Sequence, residues 1–171
     1  GKVLKVIIEC CLLTDEEKQL FTYFVTVPGM KEQLLDVLCD VQMGAADKTS
    51  QTGNVIVMGG RETGKTRLIS SLIPAICKEL NIEASKVAYI FADDLNGKDI
   101  PEIVSKLAGG FLVIEDANQL SQETADELEE AMTGNTKGMI VILEDEKIGM
   151  RKLIARYPKL AKKFTSMINI P

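Results

Sequence analysis

Short apolar runs alternate with amphipathic stretches along most of this chain. Val55–Met58, Val87–Phe91, Phe111–Ile114 and Met139–Leu143 are brief apolar blocks in which Val and Ile recur. Blocks apolar on both faces read as strands buried in a parallel sheet. Met167–Ile170 is a fifth candidate. Between the blocks the period becomes helical. Lys65–Leu80 follows the first strand, and Pro74 predicts a kink or an early stop. Pro101–Leu107 precedes the third strand, with Asp99 as its cap, and Gln122–Met132 follows that strand, with Ser121 as its cap. Lys147–Arg156 follows the fourth, and its Met150, Leu153, Ile154 and Tyr157 fall on one helical face. Such alternation predicts an α/β fold, a mainly parallel sheet with helices on both faces. Gly109-Gly110 and Gly134-Asn135 are turn signals at element boundaries.

The first 54 residues read differently. Thr14 and Glu17 form a capping box that opens a helix through about Phe24. Pro28-Gly29 breaks the chain, and Met30–Met43 is a second helix with Leu34, Val37, Leu38 and Val41 on one face. Ala45–Asn54 is a polar loop. Lys2–Cys11 fits a strand or an ordered arm, and pattern alone does not place it. Residues 1–27 are therefore read as an N-terminal arm and helix, and residues 28–171 as the core.

Composition narrows the chemistry. The 171 residues suffice for one domain with a substantial core. The net charge of −5 argues against a nucleic-acid binder. No apolar run reaches the length of a membrane span, so no membrane partner is expected. Lys2–Leu13 lacks the cleavage site of a secretory signal. The chain opens on Gly1 without an initiator Met and is read as a piece of a longer protein. The four cysteines, Cys10, Cys11, Cys39 and Cys77, form no CxxC pair, and histidine is absent. A zinc site or disulfide framework is not expected, and a reducing, cytoplasmic setting fits. Triads that need histidine are excluded. Chemistry must rest on carboxylates, lysine, arginine, hydroxyls and backbone amides.

Gly59-Gly60-Arg61-Glu62-Thr63-Gly64-Lys65-Thr66 matches the phosphate-loop pattern G-x-x-x-x-G-K-[ST]. It lies between a strand-like and a helical segment, as the chemistry requires. The glycines let several N–H groups converge, and the helix N-terminus adds positive potential. Lys65 would reach the β- and γ-phosphates, and Thr66 would ligate Mg²⁺. Gly59 through Thr66, with Arg67, are the candidate residues for ATP or ADP. Phe111–Ile114 runs into Glu115 and Asp116, two acids at the sheet edge where ligands sit. One carboxylate can hold the metal and the other can polarise an attacking water.

Together these segments resemble the AAA+ ATPases, nearest the branch of sporulation stage V protein K and red-type Rubisco activase. Pro28–Leu34 is similar to that branch's opening "GL-x-x-VK", and Gly109–Leu120 to its "GGVLFIDEAYSL" around Walker B. Tyr157–Phe164 is similar to its "NPGLRSRF". The resemblance implies a five-stranded sheet in the order 5-1-4-3-2, counted from Val55–Met58. It also places the adenine pocket near Val27–Met30. Glu115 takes the metal-side position and Asp116 that of the catalytic glutamate, one methylene shorter. Lys163 stands at the arginine-finger position, where lysine lacks the bidentate fork. Glu144 and Asp145 end the fourth strand where a neutral sensor is expected. Asp93–Lys98 occupies the pore-loop position without an aromatic residue, and the chain stops at Pro171, where a helical lid would begin.

From Lys147 onward there are seven Lys or Arg and no acid, whereas Gln122–Met132 carries five acids and no base. Such faces are either solvated or used by a neighbouring subunit, domain or protein client. Three readings follow: an ATP-binding module with weak hydrolysis, a competent ATPase completed by other subunits, and a non-enzymatic domain with a vestigial site. A GTPase would need an N-K-x-D motif, which is missing.

Overall fold

The computed structural model describes residues 5–10, 15–82 and 84–171. The elements run β1 (Lys5–Cys10), α1 (Asp15–Thr26), α2 (Met30–Met43), β2 (Asn54–Met58), α3 (Lys65–Glu79) and β3 (Ala84–Phe91). There follow α4 (Ala92–Leu95), α5 (Ile100–Lys106), β4 (Phe111–Glu115), a 3-10 turn at Ala117–Gln119 and α6 (Gln122–Thr133). The chain closes with β5 (Ile140–Asp145), α7 (Lys147–Arg156), α8 (Pro158–Ala161) and β6 (Phe164–Asn169). Asp99 and Ser121 cap α5 and α6, accepting the Glu102 and Thr124 N–H groups. The capping box at Thr14 lies outside the described residues.

The six strands form one sheet in the order β1-β3-β4-β5-β2-β6. From β3 to β6 every pairing is parallel, in the order predicted for the five core strands. Within the segment that pattern could not place, Lys5–Cys10 is a strand: β1 pairs antiparallel with β3 and adds a sixth strand at that edge. Helix α3 does not stop at Pro74 but runs through it to Glu79. Residue Asn54, read as loop, opens β2 and is buried.

Strand residues alternate between two cores because successive side chains point to opposite faces. Val55, Val57, Phe111, Val113 and Ile142 pack under α2 and α3, together with Phe24 of α1. Ile56, Ile90, Ile114, Val141 and Leu143 pack under α4 to α8. The predicted faces of α2 and α7 supply core side chains: Leu34, Val37 and Val41 from one, Met150, Leu153 and Tyr157 from the other. With both faces covered, the C-terminal ends of the parallel strands are the open crevice where polar groups can converge.

Candidate nucleotide site

Strand β2 ends at Met58 and the chain turns through the glycine-rich loop into α3. Gly64, the N-cap of α3, is left-handed at φ 84° and ψ 31°, a conformation open to glycine. A Cβ there would also meet the Phe24 ring at 3.3 Å. A Cβ on Gly59 would lie 2.6 Å from Thr63 Oγ1. That hydroxyl donates to the Gly60 carbonyl at 2.8 Å and braces the loop. Glu62, exposed, takes φ 62°. No side chain caps α3, and its first turn carries no acid. Its leading N–H groups and the positive end of its dipole therefore face the loop, the arrangement that attracts phosphate.

Register brings three strand ends together. Ile114 of β4 pairs with Leu143 of β5, so Glu115 and Glu144 are neighbours one step on. Val57 of β2 pairs with Glu144 itself. Glu144 Oε2 lies 3.8 Å from Lys65 Nζ, with only 8% and 11% of the two side chains exposed. Lys65 also donates to the Gly60 carbonyl at 2.9 Å. Thr66 Oγ1 donates to Glu115 Oε1 at 3.2 Å. Asp116 follows β4 in the left-handed region, φ 51° and ψ 48°, a conformation that Asp tolerates better than most residues at a cost of about 1 kcal/mol. Its N–H donates to Glu144 Oε1 at 3.3 Å, and its side chain is exposed.

Three carboxylates thus gather at one sheet edge, and Glu144 among them meets Lys65. Burial raises the Glu144 pKa to about 7, against the opposing pull of the Asp116 N–H and Lys65; Asp116 and Glu115 add to the rise. Burial likewise raises Glu115, countered by its bond from Thr66 and reinforced by Asp116. Arg61 and Arg67 are exposed; Arg61 Nε lies 4.0 Å from Glu146 Oε1. Lys163 is not part of this cluster. It precedes β6, whose Phe164 pairs with Asn54 at the opposite end of β2, and it lies 3.5 Å from Glu129 with 7% exposed.

The turn after the acids is held from several sides. Buried Asp145 accepts the Asn118 N–H at 2.8 Å and the Glu146 N–H at 2.7 Å. A Cβ on Gly149 would lie 2.6 Å from the same carboxylate, so glycine lets α7 start against it. Arg156 lies over the Tyr157 ring and donates to the carbonyl and the side chain of Asn118. The Asn96 amide donates to the Gln119 carbonyl and accepts the Ser121 N–H, which ties the Asp93–Lys98 segment to this turn. Asp145 had a signal, since Glu144-Asp145 repeats the acidic ending of β4. The Arg156 and Asn96 contacts join positions too distant in sequence to leave a pattern.

Among the described residues no group of three His, Cys, Asp or Glu side chains could hold a metal ion by itself. The donors do fit Mg²⁺ that shares phosphate: a hydroxyl and a carboxylate oxygen 3.2 Å apart, both hard ligands, beside the phosphate loop. Among the described residues no helix is long and apolar enough to cross a membrane.

No family model and no curated protein matches the chain. Solved structures do. PCH-2 of C. elegans superposes with a TM-score of 0.65 at 14% identity, covering 95% of this chain and 47% of its own. RuvB of Thermotoga maritima gives 0.62 at 17%, covering 87% of this chain and 46% of its own. The DnaC helicase loader gives 0.54 at 18%, covering 92% of this chain and 100% of its own. The chain thus spans less than half the length of the first two. Identities this low speak to architecture alone, and on that they agree with the strand order: the chain has the P-loop NTPase fold in its AAA+ form.

Proposed function

We propose that the chain is a nucleotide-binding AAA+ module that holds ATP or ADP with Mg²⁺ on Gly59–Thr66, hydrolyses slowly, and works in the cytoplasm within a larger protein or assembly. The observation that carries this reading is the convergence of an uncapped α3 N-terminus, Lys65, and the Thr66–Glu115 pair at one sheet edge. Lys65 and the loop N–H groups would neutralise and orient the phosphates. Thr66 and Glu115 would hold Mg²⁺, which supplies charge neutralisation between phosphate oxygens when bound. Arg61, Glu62, Thr63 and Arg67 would border the phosphates. Asp116 is the candidate base, and its exposed carboxylate can orient a water.

Slow turnover rests on three features. Asp116 is one methylene short of the glutamate its position resembles. Glu144 adds an acid beside Lys65. Lys163 is buried against Glu129 on its own chain, which withdraws it from service as a finger to a neighbour. The motif likeness to the stage V sporulation protein K and Rubisco activase branch supports placement there. A protein client or a neighbouring AAA+ domain is part of the reading, in keeping with the solved HORMA:CdnC:Trip13 complex, whose Trip13 shares this fold. A competent ATPase completed by other subunits is the second reading, favoured by coverage of under half of the RuvB and PCH-2 chains.

Single-turnover hydrolysis tests the first reading. The double variant Glu115→Asp, Asp116→Glu restores the acid order of the family motif. It is expected to speed hydrolysis by on the order of 10²-fold, the scale of a 1 Å correction in a reacting geometry. A wild-type rate already in the usual enzyme range of about 1 per second or more would rule out slow turnover.

A further inference from the structure

We propose that Glu144 sets the phosphate-chain preference of this site, so that it selects a nucleoside diphosphate over a triphosphate. The inference rests on the nucleotide-binding reading above. A phosphate-loop lysine serves the β- and γ-phosphates. Here Lys65 donates to the Gly60 carbonyl at 2.9 Å, and the charged group it meets is the Glu144 carboxylate of β5 at 3.8 Å. Glu144 is fixed there by the Asp116 N–H on its other oxygen and by its place in β5 beside Val57. Its side chain is 8% exposed, so it cannot swing into water without disturbing the sheet edge. Glu115 and Asp116 border the same space.

A β-phosphate is served by the loop N–H groups and the uncapped α3 N-terminus. A further phosphate extends toward the three acids and brings its charge against a carboxylate that already holds the lysine. At the effective dielectric of a protein surface, like charges a few ångströms apart repel by more than a tenfold change in affinity represents. Glu144 thus penalises the third phosphate and leaves the second almost untouched.

The test is calorimetric titration at pH 8, in Mg²⁺, of wild type, Glu144→Gln, Glu144→Asn and Lys65→Ala. Each is titrated with ADP and with a non-hydrolysable ATP analogue. The two neutral variants differ in length, so the result is read from whichever melts within a few degrees of wild type. The expected outcome is that neutralising Glu144 tightens the analogue by about tenfold or more and moves ADP by less than about threefold. A wild type that binds only ADP and a variant that binds both would be the extreme form of the same result. Equal affinities for the two nucleotides, unchanged in the Glu144 variants but lost in Lys65→Ala, would overturn the proposal and leave the nucleotide site standing. No binding of either nucleotide by wild type or by the Glu144 variants would overturn both.

Discussion

Two polar clusters lie at opposite ends of the same sheet, and they are satisfied to different degrees. At the N-terminal end, buried Asn54 donates to the Ser50 and Lys163 carbonyls and accepts the Val141 N–H, each at 2.8 Å. Ser50 Oγ meets the Thr136 hydroxyl, and Lys163 has Glu129. Every one of these groups has partners within its own chain. At the C-terminal end, Glu115 and Asp116 crowd the Glu144 carboxylate that meets Lys65, two of these three acids have raised pKa values, and the helix beside them lacks a side-chain cap. Buried polar groups that are fully paired rigidify a fold, whereas a buried site left short of partners is costly and marks where something else is to bind. One end is therefore read as structural and the other as the site.

The comparison can be broken first at its structural end. Asn54→Leu removes three buried hydrogen bonds and is expected to cost about 3 kcal/mol of stability, at about 1 kcal/mol per bond. A shifted urea midpoint with nucleotide affinity unchanged is the expected pattern; lost affinity in a folded variant would show that the two ends are coupled. At the other end, the Glu144 carboxyl holds its proton more tightly folded, at about 7, than at the ordinary 4.5. The folded state therefore binds more protons between those values, and stability falls as pH rises through that window, by at most about 3 kcal/mol. Urea midpoints across pH 4.5 to 7 are expected to fall less steeply in Glu144→Gln than in wild type; parallel slopes would contradict the raised pKa. The smallest effect is expected at Ser121→Ala, which removes the α6 cap for about 1 kcal/mol and should leave nucleotide affinity alone.

The strand–loop–helix at Gly59–Thr66 and the caps Asp99 and Ser121 were legible because each has a local signature, whereas the order of the five parallel strands came from the family resemblance. Patterning did not assign Lys2–Cys11, since an edge strand's partner is set by the sheet and not by its own residues. Asn54 read as loop because polarity masked a buried strand start whose partners lie 87 and 109 residues away. Glu144 was visible as an acid in an unexpected place. Its pairing with Lys65 depended on the β2–β5 register, which only the folded chain supplies.

The most direct test of the central claim is titration of ADP with Mg²⁺ into wild type and Lys65→Ala side by side, with folding confirmed by melting. Saturable binding to wild type, weakened by on the order of 10²-fold or lost in Lys65→Ala, is the predicted result, since the variant removes a charge-assisted contact to phosphate. Binding that is absent from folded wild type, or unchanged in Lys65→Ala, would contradict the assignment of Gly59–Thr66 as a working phosphate site.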